Sequence, residues 1–539
     1  MRLGVDVGGT NTDAVLVEGR AIAGWSKRAS SADVAAGVAE AIATVLARAG
    51  VGADAVSSVM IGTTQFTNAL VQRTALQPVG VLRLASPSGE ALPPMTGWPA
   101  DLVAGLQART FLLPGGYEVD GREIAPFDPA RVRAAARALR GQGIEAVAIS
   151  SAFAPINAGM EERAAAIVRE EHPAAAITLS HAIGRVGFIE RENAAILNAA
   201  LARLARVSVD AFAAALRALG IDAPLYISQN DGTLISCAQA AAYPVLAIGS
   251  GPTNSMRGAA FLTGLREAIV LDVGGTTTDI GVLAGGFPRE SAVAVDIGGV
   301  RTNARMPDIL ALGLGGGTRI HLDSTLYTAA TLDPEALRVG PDSVGYRLTE
   351  EACLFGGHTL TASDVAVAAG QARFGDPSRL PALAPAVLAA VRARLAAMLE
   401  EGVDRMKTAR GPTTLLAVGG AGFLVPDTLK GVAEVIRPAH AQVANAVGAA
   451  IAQVGAQVEK IVAYDSTPRH LALERLRAEA CARAVAAGGA PASVEVVEVE
   501  EVFLSYLPGR AAQVRVKAVG ELALYAGGAG ADTRVRHAH

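Results

Sequence analysis

The stretch LGVDVGGTNTDAVLV, Leu3 to Val17, returns far downstream as VLDVGGTTTDIGVL, Val270 to Leu283. In each copy an apolar run reaches an aspartate, breaks at Gly-Gly-Thr and resumes as a second apolar run carrying another aspartate, which is the pattern of a β-hairpin. Glycines permit a tight reversal and let backbone N–H groups come close to a ligand. Phosphate oxygens accept from such amides, and the threonine hydroxyl adds a donor. Asp6 and Asp272 would then meet phosphate with like charge, so the pattern implies Mg²⁺ between them, held partly through water. Plain turn geometry, with Asp and Thr capping local amides, is the competing explanation of a single copy. It does not require the flanking threonine and second aspartate that recur in DVGGTNTDA and DVGGTTTDI, so the duplication favours phosphate.

A chain of 539 residues exceeds one ordinary core and predicts two or three domains. Its 51% hydrophobic content is rich in alanine, which suits packed helices and an α/β fold. The balance of 47 basic and 51 acidic residues, with no dense Lys/Arg block, argues against a nucleic-acid partner. Cys237, Cys353 and Cys481 lie far apart with no C-x-x-C, so neither a disulfide framework nor a zinc site is expected. Asp6 interrupts the first apolar run, which is wrong for a signal peptide, and no uncharged run is long enough to span a bilayer. The expectation is a soluble, cytoplasmic protein without a membrane partner.

Along the chain, residues 3–25 read as a hairpin or meander, followed by a helix over 31–49 with Gly50 past its end. SSVMIGTTQFTNALVQR reads as a strand, a Thr-rich turn and a helix. Residues 85–130, rich in Pro and Gly, read as an irregular insertion; helix 129–140, strand 144–150, helix 160–170 and strand 175–180 then imply parallel strands joined by helices. A long helical stretch separates this half from a second that begins at Pro224. There, PVLAIGSGPTNSMRGAAFL reads as strand, turn and helix, and TTLLAVGGAGFLVPDTL as strand, glycine turn and helix. Helix 468–486 and two following strands form a small appended unit, and the final HAH reads as a frayed tail. The expected fold is α/β: two similar halves, 1–182 and 183–460, around a cleft, plus a C-terminal α+β unit, 461–539.

Smaller elements carry two readings each. Gly419 and Gly420 could let a base or ribose lie against the backbone, or form a generic strand-to-helix turn. Gly315, Gly316 and Gly317 could cradle phosphate or ribose, or form a flexible turn. Thr63, Thr64, Thr67 and Asn68 gather hydroxyls and an amide on one turn, with helix capping as the alternative. His181, Arg185, Glu190, Arg191 and Glu192 offer acid, base and charge near the junction of the halves, with surface salt bridging the commoner explanation. For His358, Thr361, Ser363 and Asp364, capping is the stronger reading. No H-x-x-x-H, G-x-S-x-G or Walker A motif is present.

The order of two phosphate loops and a third glycine loop resembles the actin, Hsp70 and sugar kinase superfamily, whose halves share an actin/ribonuclease H-like fold around a nucleotide cleft. Within it the chain resembles the hydantoinase/oxoprolinase family, of the ATP-binding A subunit (N-methylhydantoinase A) type. The resemblance rests on both hairpins and on IGTTQFTNALVQR (61–73), ERENAAILNA (190–199), LYISQNDGTLIS (225–236), GSGPTNSMRGA (249–259), LGGGT (314–318), VGPDSVGY (339–346), GGHTLTASD (356–364) and VGGAGF (418–423). The chain departs from the family pattern at Asn11, Thr277, Thr318 and the turn Gln229–Gly232, which bears on the substrate.

The resemblance implies ATP and Mg²⁺ as cofactors. Gly8, Gly9, Thr10, Asn11, Gly274, Gly275, Thr276, Thr277, Gly315, Gly316, Gly317, Gly419 and Gly420 would bind nucleotide, and Asp6 and Asp272 would be the catalytic and metal-organising pair. It implies an ATP-dependent hydrolase that phosphorylates the carbonyl oxygen of a cyclic amide (a hydantoin, 5-oxoproline or a lactam) for ring opening. The same activation serves a ketone carboxylase component in other relatives. It also implies a hydantoinase B-type partner subunit and leaves homo-oligomerisation open. An ATPase chaperone or reactivating factor for a partner enzyme, or a small-molecule kinase, uses the same loops.

Overall fold

A computed structural model of the chain describes residues 1–31, 33–184, 186–291, 294–303, 306–322, 337–504 and 509–523. Arg185 and the terminal HAH lie outside the described residues. The first quoted stretch folds as antiparallel strands Arg2–Val7 and Asn11–Glu18, in a register that sets Asp6 opposite Asp13. Strand Ala21–Ala29 pairs antiparallel on one side. On the other, Ser58–Thr63 and then Leu225–Ser228 add in parallel.

The second stretch repeats this plan. Strands Ala268–Val273 and Thr278–Ala284 set Asp272 opposite Asp279, Phe287–Pro288 continues antiparallel, and Thr413–Val418 and Val432–Ile436 add in parallel. Both halves therefore have three antiparallel strands followed by two parallel ones in the same order, so what is duplicated is a sheet topology as well as a motif. This is the expected α/β, actin-like arrangement.

Both faces of the first sheet are covered, which is why its strands read as nearly continuous apolar runs. Leu3, Val5 and Leu16 pack with Val38 and Ile42 of helix Val34–Ala49, which Asp33 caps and Gly50 ends in the left-handed region. Val15 and Val17 pack on the opposite face with Val447 and Ala450 of helix Ala444–Ile451.

That second helix crosses helix Ser250–Thr263 at backbone contact. A Cβ on Gly258 would lie 1.9 Å from Ala444 O, and one on Gly448 would lie 1.8 Å from Asn254 O. Among the described residues no helix is long and apolar enough to cross a membrane.

Between Ser58–Thr63 and Leu225–Ser228 the chain builds a separate, all-parallel sheet in the order Arg109–Pro114, Val79–Ser86, Ala146–Ser151, Ala176–Leu179. The stretch 85–130, expected to be irregular, thus supplies a strand and the helix Ala100–Leu106. Two further expectations are corrected. Pro244–Ala247 is a 3₁₀ turn, because Pro244 lacks a ladder donor and the Val245 N–H is taken by Asn198 Oδ1 at 3.2 Å. After Gly419-Gly420 the chain makes only the 3₁₀ turn Gly422–Leu424, with Pro426 close behind.

Sheet membership also crosses the expected boundaries at 182 and 460. Leu225–Ser228 and Thr233–Ser236 join the first sheet, and Gln453–Ala463, Ala511–Gly520 and Glu495–Phe503 extend it to nine strands. Helix Arg469–Ala486 packs on those last strands through a core of its own.

The helix crossing has a measurable consequence. Gly448→Ala should lower unfolding free energy by about 1–3 kcal/mol, because backbone cannot yield to the new methyl. Gly105→Ala, in a helix with open space around the site, should raise it by about 0.5–1 kcal/mol. Urea denaturation of both variants checks the pair, and an undiminished Gly448→Ala would contradict the tight crossing.

Candidate functional site

The two hairpin turns close in the same way. Gly8 N–H donates to Asn11 O and Gly274 N–H donates to Thr277 O, each at 2.9 Å. They face each other across a cavity of about 240 Å³. Asp6, Gly8, Gly9, Thr10 and Asn11 of the first loop line it together with Asp272, Gly274, Gly275, Thr276 and Thr277 of the second, and Gly419 and Gly420 form a third side. Residues far apart in sequence thus converge because each hairpin holds the same place in its own sheet, between an antiparallel outer strand and two parallel strands.

Gly315, Gly316 and Gly317 are placed differently. They are buried behind the second loop, where Gly316 N–H donates to Gly274 O at 3.0 Å and Gly317 N–H to Gly275 O at 2.7 Å. A Cβ on Gly315 would lie 2.7 Å from three backbone atoms of that loop. The triglycine braces the loop from the rear and does not line the cavity. Thr64 and Asn68 support the first loop from beside it, and Thr64 itself lines the cavity. Thr64 N–H donates to Val7 O at 3.1 Å, and Asn68 Nδ2 donates to Thr64 Oγ1 at 3.3 Å.

The cavity gathers four carboxylates and one ammonium. Lys27 Nζ donates to both oxygens of Asp13, at 2.9 and 2.7 Å, and to Gln442 O at 3.2 Å. Asp6 is buried. Its Oδ2 accepts from Asn445 Nδ2 at 2.9 Å, while its Oδ1 is buried without a hydrogen-bond partner. Burial, reinforced by the Asp13 charge, pushes the Asp6 carboxyl up to about 7. Asp13 is raised by burial against the opposing pull of Lys27. Asp272 is also raised by burial, against a hydrogen bond from Ser255 Oγ to Oδ2. Asp279 has no lysine at the place where Asp13 has Lys27, and burial together with the Asp272 charge lifts it to about 7.

This donor set fits Mg²⁺ with phosphate. It is all oxygen, suited to a hard cation, and one Asp6 oxygen is left over. Among the described residues no group of three or more His, Cys, Asp or Glu side chains is arranged to hold an ion alone. A Mg²⁺ here would therefore rest on Asp6 and Asp272 and complete its shell from phosphate oxygens and water.

Outside the cavity, Arg191 and Glu192 prove to be buried, not surface groups. Glu192 accepts from Arg83 Nε at 2.9 Å and Ser150 Oγ at 2.6 Å, and Arg191 Nε donates to Ser180 Oγ at 2.9 Å. His181 Nδ1 lies 2.6 Å from the buried carboxylate of Glu161. Thr361 and Asp364 form a capping box on helix Ala362–Ala368. Sequence reasoning passed over Lys27, Ser255 and Asn445. Ser255 carried a signal, as part of GSGPTNSMRGA; the other two sit in unremarkable strand and helix sequence.

Fold and cavity together define an α/β protein of the duplicated, actin-like type, with two matching glycine turns facing one cavity. The chain belongs to the hydantoinase/oxoprolinase family: residues 2–172 match the hydantoinase/oxoprolinase N-terminal region and residues 191–376 match the hydantoinase/oxoprolinase domain. It is 29% identical over 433 residues to the caprolactamase subunit alpha of Pseudomonas jessenii, covering 75% of this chain and 60% of the relative. It is 25% identical over 279 residues to the acetophenone carboxylase gamma subunit of Aromatoleum aromaticum, covering 50% of this chain and 36% of the relative. The matches thus span 60% or less of these curated relatives. The ATP-dependent caprolactamase from Pseudomonas jessenii superposes with a TM-score of 0.76 at 22% identity, over 97% of this chain and 88% of that one. Nucleotide-free acetone carboxylase superposes with a TM-score of 0.69 at 20% identity and the same coverage. Both share the fold.

The raised carboxyls fix a sign for pH dependence. Asp6 and Asp279, near 7 when folded, retain protons that the unfolded chain releases at about pH 4. Their contribution to stability therefore falls as pH rises through the window from about 4 to about 7. Melting of the metal-free chain in a chelator should show this slope, and Asp279→Asn should flatten it. An unchanged slope in that variant would refute the assignment.

Proposed function

We propose that the chain is the ATP-using component of an enzyme that activates a carbonyl oxygen, with a cyclic amide of the lactam, hydantoin or 5-oxoproline type as substrate. The observation that carries this reading is the cavity itself: two glycine turns facing each other across carboxylates that need a divalent cation before phosphate can enter. The activities named for the caprolactamase relatives support the substrate class.

Amides of Gly8, Gly9, Gly274 and Gly275, with the hydroxyls of Thr10 and Thr276, hold the phosphates. Asp6 and Asp272 hold Mg²⁺, while Lys27 keeps Asp13 from adding an uncompensated charge. Gly419 lets Asp272 Oδ1 and Val273 O come close, and with Gly420 it forms the side of the cavity against which the nucleoside lies. Mg-ATP bound there supplies a γ-phosphoryl group to the amide oxygen, so that water can open the ring with release of ADP and phosphate. Because phosphoryl transfer depends on positioning and charge neutralisation, closing the two halves on the nucleotide is the step the protein contributes.

Both curated relatives are named subunits, and a B-type partner chain that completes the hydrolysis is part of the proposal. A second reading, a ketone carboxylase component, is favoured by the acetophenone and acetone carboxylase matches. It uses the same oxygen activation but consumes bicarbonate.

Phosphate release from Mg-ATP, by the chain alone and with lactams, hydantoins, 5-oxoproline or ketones plus bicarbonate, tests both. A cyclic amide should stimulate release, and Asp272→Ala should reduce it by about 100-fold or more, the scale lost with one electrostatic contact to the transition state. Stimulation only by ketone with bicarbonate would select the carboxylase. Failure to bind ATP would remove the nucleotide reading.

A further inference from the structure

The segment GSGPTNSMRGA, Gly249 to Ala259, reaches the cavity through Gly251, Pro252 and Ser255. Ser255 Oγ donates to Asp272 Oδ2. Its neighbour Asn254 is fully buried, and neither Nδ2 nor Oδ1 of its side chain has a hydrogen-bond partner. Oδ1 of Asp6 is buried and unpartnered as well.

These two orphans approach each other over Gly62. A Cβ on Gly62 would lie 2.5 Å from Asn254 Nδ2 and 2.6 Å from Asp6 Oδ1. Gly62 stands opposite Asp6 in the parallel pairing of Arg2–Val7 with Ser58–Thr63, so the missing side chain is what leaves the two groups facing. One is a donor and the other a carboxylate acceptor, both removed from water, and an unpaired buried group of either kind is costly.

We infer that Asn254 is a positioning residue for Asp6: its amide stands beside Oδ1 at Gly62 and takes up that oxygen when Mg-nucleotide draws the carboxylate into place, while Asn445 holds Oδ2 at 2.9 Å, so that the two amides fix the direction the carboxylate presents. The inference rests on the Mg-nucleotide reading above. It also makes Asn254 and Ser255, consecutive on helix Ser250–Thr263, the holders of one aspartate from each half. The helix backbone at Asn254 is itself locked, since Gly448 of the crossing helix packs directly on Asn254 O. Placement of the first loop and of the second is thereby tied to one rigid turn.

The test uses the full chain with Mn²⁺ and ADP as probes, reading bound Mn²⁺ by electron paramagnetic resonance and metal-free ADP binding by calorimetry in a chelator. Asn254→Ala should weaken Mn²⁺-ADP binding about tenfold, the effect of one charge-assisted hydrogen bond, and leave metal-free ADP binding unchanged. Asn254→Ser, which keeps a donor, should recover most of the loss. It also carries the comparison if the alanine variant fails to fold. Wild-type Mn²⁺-ADP affinity in Asn254→Ala, or equal losses with and without metal, overturns the inference and leaves the nucleotide reading standing. A wild-type chain that binds no Mn²⁺-ADP overturns both.

Discussion

Four carboxylates share one small cavity in this protein, and like-charge repulsion at that point constrains much of what surrounds it. The pairing register makes the crowding unavoidable, because Asp6 opposes Asp13 and Asp272 opposes Asp279 near the turns of the two hairpins. The chain relieves it unequally. Asp13 is neutralised by Lys27, Asp6 and Asp272 are held by neutral donors, and Asp279 is left to burial alone. A site of this kind is most stable when protonated or when a divalent cation enters.

Holding those groups in place falls to backbone-level packing. The two helices that carry Ser255 and Asn445 touch through Gly258 and Gly448, at distances that leave no room for a methyl group. Each loop also has a brace, the triglycine behind the second and the Thr64–Asn68 pair beside the first. The result is a pair of loops fixed to their own sheets and joined by a short, rigid crossing. A change in the relation of the halves must pass through that crossing. The inserted parallel sheet is tied to the rest by a different device, the buried pair between Arg83 of its strand Val79–Ser86 and Glu192 of helix Phe188–Ala218, whose charges are satisfied by Ser150 and backbone carbonyls. Removing one member would leave the other charged and buried, which is far more costly than losing a surface pair.

Several features were legible in the sequence because they depend on local chemistry. The hairpins announced themselves by an aspartate and two glycines inside apolar runs, helix Val34–Ala49 by its apolar spacing and Gly50, and the Thr361–Asp364 box by its capping residues. Local patterns misled where a segment answered to distant partners. Pro244–Ala247 looked like a strand until Asn198 took its donor, and Gly315–Gly317 looked like a ligand loop although backbone of the second hairpin fills the space beside it.

The sequence by itself determined the two hairpins, the α/β class and the family, because hydrophobic period, turn chemistry and motif order are properties of short segments. Only the tertiary structure decided that the C-terminal strands continue the first sheet, that Arg191 and Glu192 are buried, and that Lys27, Ser255 and Asn445 bond to the aspartates. Those relations join residues separated by up to 439 positions, and strand pairing across such distances is set by packing and burial rather than by any local signal.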